Sequence, residues 1–325
     1  MSTTEETSGA TSAGVDLSVI IVQWNQADLL RRCLQSIAVC EHRYTVQVIV
    51  SDNGSTDGSP EMVEHEFPEV VLLRNGANLG FARANNVGAR RATGRFIMLL
   101  NSDTEVRGGA LDTLVAAADA EPGIGIIGPY LENPDGTLQP SGLFREPMWV
   151  DLAYSTPLHK LLGWDITRRF HQPGRNYDQH CDVDILAGAC MMVRREVWDA
   201  LGGLDEHYFF LYEDMDLCLN ARRQGWICRY HPAAHVMHVW GASTNIAAKP
   251  IREAAVRGHI RFVGRQYGAL AALTLRLVIT LNSAPRLLIF TVAGLGAASA
   301  RQRATWQLRL LQIAMTPQPR NLPFA

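Results

Sequence analysis

A chain of 325 residues, 47% apolar and with a formal net charge of −2, can bury a large core and has no general affinity for nucleic acid. Its charge is unevenly spread: from Ala254 onward there are nine Arg and no Asp or Glu, so the acidic excess lies in the first 253 residues. The six cysteines form no Cys-x-x-Cys pair and read as buried thiols of a reducing compartment.

The chain opens on Ser, Thr, Gly and Glu without an apolar run, so 1–16 reads as a disordered tail and not a signal peptide. Residues 17–22 read as a short buried strand that ends at Gln23-Trp24-Asn25. Leu30, Cys33, Leu34 and Ile37 then recur at helical spacing. A second strand, 46–50, runs into the turn-forming loop Ser51-Asp52-Asn53-Gly54-Ser55-Thr56-Asp57-Gly58-Ser59. Ser59 before Pro60 has the pattern of an N-cap followed by proline at the first helical position. Residues 70–73 are a third strand, and Asn78-Leu79-Gly80-Phe81 opens a helix reaching about Ala92. A fourth strand, 96–100, is wholly apolar and stops at Asn101-Ser102-Asp103. Strands alternating with helices at this spacing predict an α/β fold with a mostly parallel central sheet flanked by helices. From Pro129 to about Cys181 the pattern loosens, which fits either a long insertion over a site or irregular packing. Regular structure resumes over 183–193, around Gly188.

In such sheets ligands bind beyond the carboxyl ends of the strands, which gathers Gln23, Asn25, Asp52, Asn53, Arg83, Asn101, Ser102 and Asp103 on one edge. Asp103 can hold a hard divalent cation or cap the next helix. Asp52 can accept from a pyrimidine imide or a ribose hydroxyl, or hold its own loop as an Asx-turn. Arg83 can reach a diphosphate or stand in solvent. Neither G-x-G-x-x-G nor G-x-x-x-x-G-K-[ST] occurs, which argues against dinucleotide oxidoreductases and P-loop NTPases. Further on, Glu213, Asp214 and Asp216 follow an aromatic run. They can complement a helix dipole or supply a general base whose proton affinity is raised by apolar neighbours and by a second carboxylate. Three histidines follow, His231, His235 and His238. Pro232 and the nearby valines argue against one helix bearing a zinc site, and a single His completing a carboxylate-bound Mn²⁺ or Mg²⁺ fits better.

These pieces taken together resemble glycosyltransferase family 2, particularly its bacterial rhamnosyltransferase-like members, over roughly residues 16 to 250. The matching pieces are Trp24-Asn25 after the first strand, the Ser51 to Gly58 loop, Asn78-Leu79-Gly80-Phe81-Ala82 with Asn85-Asn86, and Asn101-Ser102-Asp103. Gly202-Gly203-Leu204-Asp205 with Phe210 through Asp216, and His238 with Gly241 and Ser243, complete the set. The resemblance implies a GT-A fold, an inverting mechanism and a nucleoside-diphosphate-sugar donor, dTDP- or UDP-linked. It implies a base contact for Asp52, a metal contact for Asp103, a further metal or diphosphate contact for His238, and a catalytic base at Asp214 with Glu213 beside it. Gln23, Asn25, Asn53, Arg83, Asn101, Ser102 and Gly188 are the remaining expected nucleotide-sugar contacts. The family's D-x-D element usually begins with Asp, and here Asn101 stands there, which implies weaker affinity for Mn²⁺ or Mg²⁺.

In the carboxyl-terminal region Val256, Ile260, Val263, Tyr267 and Leu270 form an apolar helical stripe, with Arg257, Arg261 and Arg265 beside it. No uncharged apolar stretch reaches the roughly 18 residues a membrane span needs. The longest, 287–300, has fourteen. Helices lying on an anionic membrane surface, or packing on the catalytic domain, both fit. The expected organisation is a tail over 1–16, a catalytic domain over 17–250, an amphipathic, membrane-associated helical region over 251–315 and a second tail over 316–325. The expected function is transfer of a sugar, plausibly rhamnose or another deoxyhexose, to a cell-surface glycan or lipid-linked saccharide at the cytoplasmic face of the inner membrane. A protein of this fold that only holds a sugar nucleotide is the alternative.

Overall fold

The computed structural model describes residues 14–145, 148, 156, 177–239, 248–294 and 298–316. In chain order the first half runs β1 (Leu17–Gln23), α1 (Ala27–Ala38), β2 (Val46–Asp52), α2 (Ser59–Glu66), β3 (Val71–Arg74), α3 (Phe81–Ala89), β4 (Phe96–Asn101), β5 (Thr104–Val106) and α4 (Ala110–Ala120). Next come β6 (Ile124–Glu132), β7 (Leu138–Gln139), β8 (Gly142–Leu143), β9 (Cys181–Val183), β10 (Ile185–Leu186), β11 (Cys190–Arg194), α5 (Arg195–Leu201), α6 (Glu213–Arg223) and β12 (Ile227–His238). Three helices close the chain: α7 (Ala248–Tyr267), α8 (Ala269–Ala293) and α9 (Ala298–Met315).

The main sheet runs β3-β2-β1-β4-β11-β6-β12-β5. Its first four strands are parallel, as the strand-helix alternation predicts, whereas β11 is antiparallel to both β4 and β6. Side chains on β4 alternate between two cores. Ile97 and Leu99 join a cluster with Ile20, Ile49 and Met191, while Phe96, Met98 and Leu100 join Val19, Ile21 and Met192 on the other face. Burial on both faces is why this strand reads as an unbroken apolar run.

Two local expectations change. Ser59 lies inside α2, and the residue before the helix is Gly58, with φ of +84°. The Asp57 carboxylate takes the capping role by accepting the Ser59 amide, and this frees the Ser59 hydroxyl to accept from Gln23 Nε2 at 2.9 Å. The larger change concerns α7. Ile260, Phe262 and Val263 are buried in the catalytic core, with Val256 and Tyr267 packed against it, so the apolar stripe faces protein and not lipid. Arg261 pairs with Asp205, and Arg265 and Gln266 hold the buried Asp216 at 2.9 and 2.6 Å. Past residue 250, α7 thus packs on the same core, and its contacts satisfy carboxylates that α6 and its preceding loop bury.

Leu270, the last member of that stripe, is 77% exposed and begins a different surface. Leu273, Leu277, Leu281 and Leu288 continue it along α8, each more than half exposed. Among the described residues, α8 is the one helix long and apolar enough to cross a membrane, with Arg276 and Arg286 its only charges. Arg276 is committed to the end of α9, donating to the carbonyls of Ile313, Ala314 and Thr316. A cation there complements that helix's C-terminal dipole. Gly241 and Ser243, and most of 146–176, lie outside the described residues.

Candidate active site

Pairing in register sets Gln23, Asp52 and Asn101 side by side at the carboxyl ends of β1, β2 and β4: Gln23 opposes Asp52, and Val22 opposes Asn101. Gln23 is fully buried, and its Oε1 has no protein partner. Asn25 has φ of +52°. Its amide donates to Ser55 Oγ and its Oδ1 accepts from Thr56, which ties the first loop to the second. Asp52 accepts from the Gly54 and Ser55 amides at 3.1 Å, so the Asx-turn reading of this residue is realised. Asn53 spends its amide on Gly80 O, Asn78 and Asn75, inside the loop framework and not toward a ligand. Arg83 is half exposed, one turn into α3, and 3.9 Å from Glu206.

At the end of β4, Ser102 is buried and lies 3.4 Å from Gln26 Oε1. The chain then turns into β5, which pairs with β12 so that His238 opposes Thr104. This pairing brings His238 to the carboxyl end of β4. His238 Nε2 stands 3.2 Å from Asp103 Oδ1 and 3.4 Å from Asn101 Nδ2, with both Asp103 and His238 buried. The other two histidines of the strand are placed differently: His231 stacks on His180, and His235 stacks on Tyr130. A register shift between His231 and His235 sets the first apart from the other two.

The pair Glu213 and Asp214 opens α6 from a strained turn. Leu211 and Tyr212 both sit in the left-handed region, at φ of +69° and +77°, which costs bulky residues roughly 1–2 kcal/mol each. Tyr212 is braced from α7, its ring stacked on His259 and packed near Phe262. Asp214 accepts from the Gly188 amide at 2.8 Å and the Met215 amide at 2.7 Å. Glu213 is buried, and its Oε2 has no protein partner. Burial raises both carboxyls above their ordinary range, and the charge on Asp214 raises Glu213 further. The Gly188 and Met215 amides oppose that rise at Asp214.

Gly188 is where the two halves of the cleft join. Its neighbour Ala189 accepts the Asn101 amide at 2.9 Å, while Gly188 itself donates to Asp214. A Cβ at Gly188 would lie 3.2 Å from Asp214 Cβ and Oδ2. A short bonded path therefore runs from Asn101, beside Asp103 and His238, through Ala189 and Gly188 to Asp214.

The donor set suits a divalent cation. Adjacent ligands on a six-coordinate ion with bonds of about 2.1 Å stand roughly 3.0 Å apart. The Asp103 Oδ1 to His238 Nε2 separation is 3.2 Å. Among the described residues no group of three His, Cys, Asp or Glu gathers, so such an ion would complete its shell with Asn101, water or substrate oxygens. One residue of this site has no place in the motif reading: Gln139 on β7, buried, with its Oε1 2.6 Å from His238 Nδ1. Its signal was the turn Asn133-Pro134-Asp135-Gly136 ahead of it, which marks a hairpin.

Comparison with known proteins agrees with this geometry. The chain is 33% identical over 244 residues to N-acetylglucosaminyl-diphospho-decaprenol L-rhamnosyltransferase of Mycobacterium tuberculosis, covering 70% of this chain and 77% of that protein. It is 24% identical to rhamnosyltransferase WbbL of Escherichia coli, over 68% of this chain and 82% of that protein. Among solved structures, GalNAc-T7 with UDP, GalNAc and Mn²⁺ aligns with a TM-score of 0.56 at 18% identity, over 78% of this chain and 48% of that one. The first 349 residues of Staphylococcus aureus TarS align with a TM-score of 0.52 at 15% identity, over 92% of this chain and 90% of that one. These two establish the GT-A fold. Family models for glycosyl transferase family group 2 and for glycosyl transferase family 2 match residues 164–299 and 18–202. The chain belongs to glycosyl transferase family 2 and is a glycosyltransferase that draws its sugar from a nucleotide sugar.

Proposed function

We propose that this enzyme inverts the anomeric centre of a dTDP- or UDP-linked deoxyhexose, such as rhamnose, as it moves the sugar to a lipid-linked saccharide. The observation that supports the reading is the bonded path from Asp214 through Gly188 and Ala189 to Asn101, which lies beside His238 and next to Asp103 in the chain. The acceptor hydroxyl attacks the anomeric carbon, the bond from that carbon to the diphosphate oxygen breaks, and the hydroxyl proton passes to Asp214. Burial makes Asp214 a stronger base than an exposed aspartate, and the buried Glu213 beside it is raised by the same cause. Asp103 and His238, with Asn101 beside them, would hold Mn²⁺ or Mg²⁺, whose chemistry is to offset charge on the departing diphosphate. The unpartnered Gln23 Oε1 and the carboxylate of Asp52 are the acceptors offered to the nucleoside.

The lipid-linked acceptor is supported by two observations. The Mycobacterium tuberculosis relative is named for N-acetylglucosaminyl-diphospho-decaprenol. On this chain the exposed leucine stripe of α8 lies in a region that is cationic throughout, which suits the anionic cytoplasmic surface of the inner membrane. A thermal-shift panel of nucleoside-diphosphate sugars with and without Mn²⁺ identifies the donor. With that donor, Asp214→Asn should abolish transfer and leave donor binding intact; near-normal turnover would remove Asp214 from the base role. An unmutated chain that binds the donor with Mn²⁺ but neither hydrolyses nor transfers it would instead be a sugar-nucleotide-binding protein.

A further inference from the structure

The hairpin joining β6 to β7 carries a hydrogen-bond chain whose direction is fixed from its outer end. Asp135 is exposed, and two donors from Thr137 hold its carboxyl below the usual range, so it only accepts. Thr137 Oγ1 lies 2.6 Å from Asp135 Oδ1 and must give it the hydroxyl proton. That oxygen can then only accept, so the Asn133 atom 2.9 Å away is its amide nitrogen. The other Asn133 atom is therefore its oxygen, and the Gln139 atom 2.9 Å from it is nitrogen. The same nitrogen faces the His238 carbonyl at 3.4 Å, a second acceptor that agrees with the assignment. This leaves Gln139 Oε1 against His238 Nδ1 at 2.6 Å, so Nδ1 is the donor. In the neutral imidazole the proton is then on Nδ1, and Nε2 turns its lone pair toward Asp103 Oδ1 at 3.2 Å. Two acceptors facing each other inside a protein need a positive centre between them, a role open to a bound cation as it is to a proton on Nε2. Metal-bound histidines are oriented by such a bond to their second nitrogen.

We propose that the Asn133 to Gln139 hairpin is an orienting device for His238, with Gln139 the positioning residue that presents Nε2 as a ready ligand for a divalent cation. The inference rests on the metal-dependent reading above and adds to it the residues that prepare the ligand. Because the chain begins at a solvent-exposed carboxylate, the hairpin tip contributes to a buried site it never touches.

The test uses the full chain, with Mn²⁺ titrated in the presence of UDP or dTDP and free Mn²⁺ followed by electron paramagnetic resonance. Gln139→Leu should weaken Mn²⁺ binding about 10–100-fold, the range for loss of such a partner. Gln139→Glu retains an acceptor for Nδ1–H and should restore most of the affinity. Thr137→Val, at the exposed tip, should weaken binding several-fold and stands in if Gln139→Leu does not fold. Nitrogen-15 histidine spectra of the metal-free protein should assign the proton of His238 to Nδ1 in wild type and to a mixture in Gln139→Leu. Wild-type affinity in both Gln139→Leu and Thr137→Val overturns the proposal and leaves the metal reading standing. A wild type that transfers sugar but binds no Mn²⁺ overturns both. A His238 proton found on Nε2 of wild type overturns the orienting role alone.

Discussion

Gly188 separates two accounts of the cleft. By resemblance it is a nucleotide-sugar contact, whereas the geometry makes its amide a donor to Asp214 at 2.8 Å. Its φ lies outside the left-handed region, so alanine there meets no backbone strain. What alanine meets is Asp214: the new methyl would sit 3.2 Å from Cβ and Oδ2 and 3.5 Å from Cγ. That is a few tenths of an ångström inside ordinary contact, so the carboxylate must shift. The Gly188 amide is among the donors that hold Asp214, and stretching one bond to a charged group forfeits part of about 1.5–3 kcal/mol. At 1.36 kcal/mol per tenfold, the expected loss in kcat is about 10- to 100-fold. The donor KM should move little, because the nucleoside loops carry none of the displaced atoms. Steady-state kinetics with the donor varied, together with calorimetric titration of UDP or dTDP, would measure this. A raised donor KM with an unchanged kcat would refute the argument and return Gly188 to the donor site.

Glu213→Gln should alter stability with a definite sign. Burial raises the folded-state pKa of Glu213, so its favourable neutral form is fully present below the unfolded value of 4.5 and is lost as pH rises through the folded one. The variant should therefore gain Tm relative to wild type at pH 9 compared with pH 5, and a difference independent of pH would contradict the buried-acid assignment. Asp216→Ala removes the acceptor of the buried Gln266 amide and one partner of Arg265, which keeps Asp205, and should cost about 1–3 kcal/mol in urea unfolding; no measurable loss would detach α7 from the core. Replacing Leu273, Leu277 and Leu281 together by Asp should abolish flotation with anionic liposomes while transfer to a soluble acceptor persists. Equal recovery of wild type and variant would rule out the α8 face. Asn101→Asp should tighten Mn²⁺ binding by adding a charge and lower the Tm of the metal-free protein; the opposite pair of shifts would show that Asn101 does not face the ion.

The parallel half of the sheet was legible because its strands are buried on both faces and end in polar runs, so pattern and position coincide. The motif residues were legible for the same reason: Asp52 and Asn101 end strands, and Asp103 comes two residues later. What they touch was less so. Asn53 sits in the same loop as Asp52 yet is consumed by Asn75, Asn78 and Gly80, and no spacing distinguishes a framework amide from a ligand-facing one. The stripe on α7 has the same period whether it meets lipid or protein. The choice was made by Asp205 and Asp216, which lie in another segment and need Arg261, Arg265 and Gln266. Gln139 was hidden for a related reason. It sits in a stretch where hydrophobic period fails, and its role comes from a partner 99 residues away.

Asn101 shows how the departure from D-x-D fits the site built around it. An aspartate there would add a second carboxylate beside Asp103 and the Nε2 lone pair, and without a cation three acceptors would face one another. The Asn101 amide nitrogen instead lies 3.4 Å from Nε2 and can donate to it, which leaves the metal-free cleft partly satisfied. A cation must then compete with that bond and gains one charge less. The substitution thus lowers affinity from both sides while leaving His238, Asp103 and the hairpin behind them in place. An enzyme arranged this way suits an ion that arrives with the diphosphate, whose own oxygens supply the missing charge.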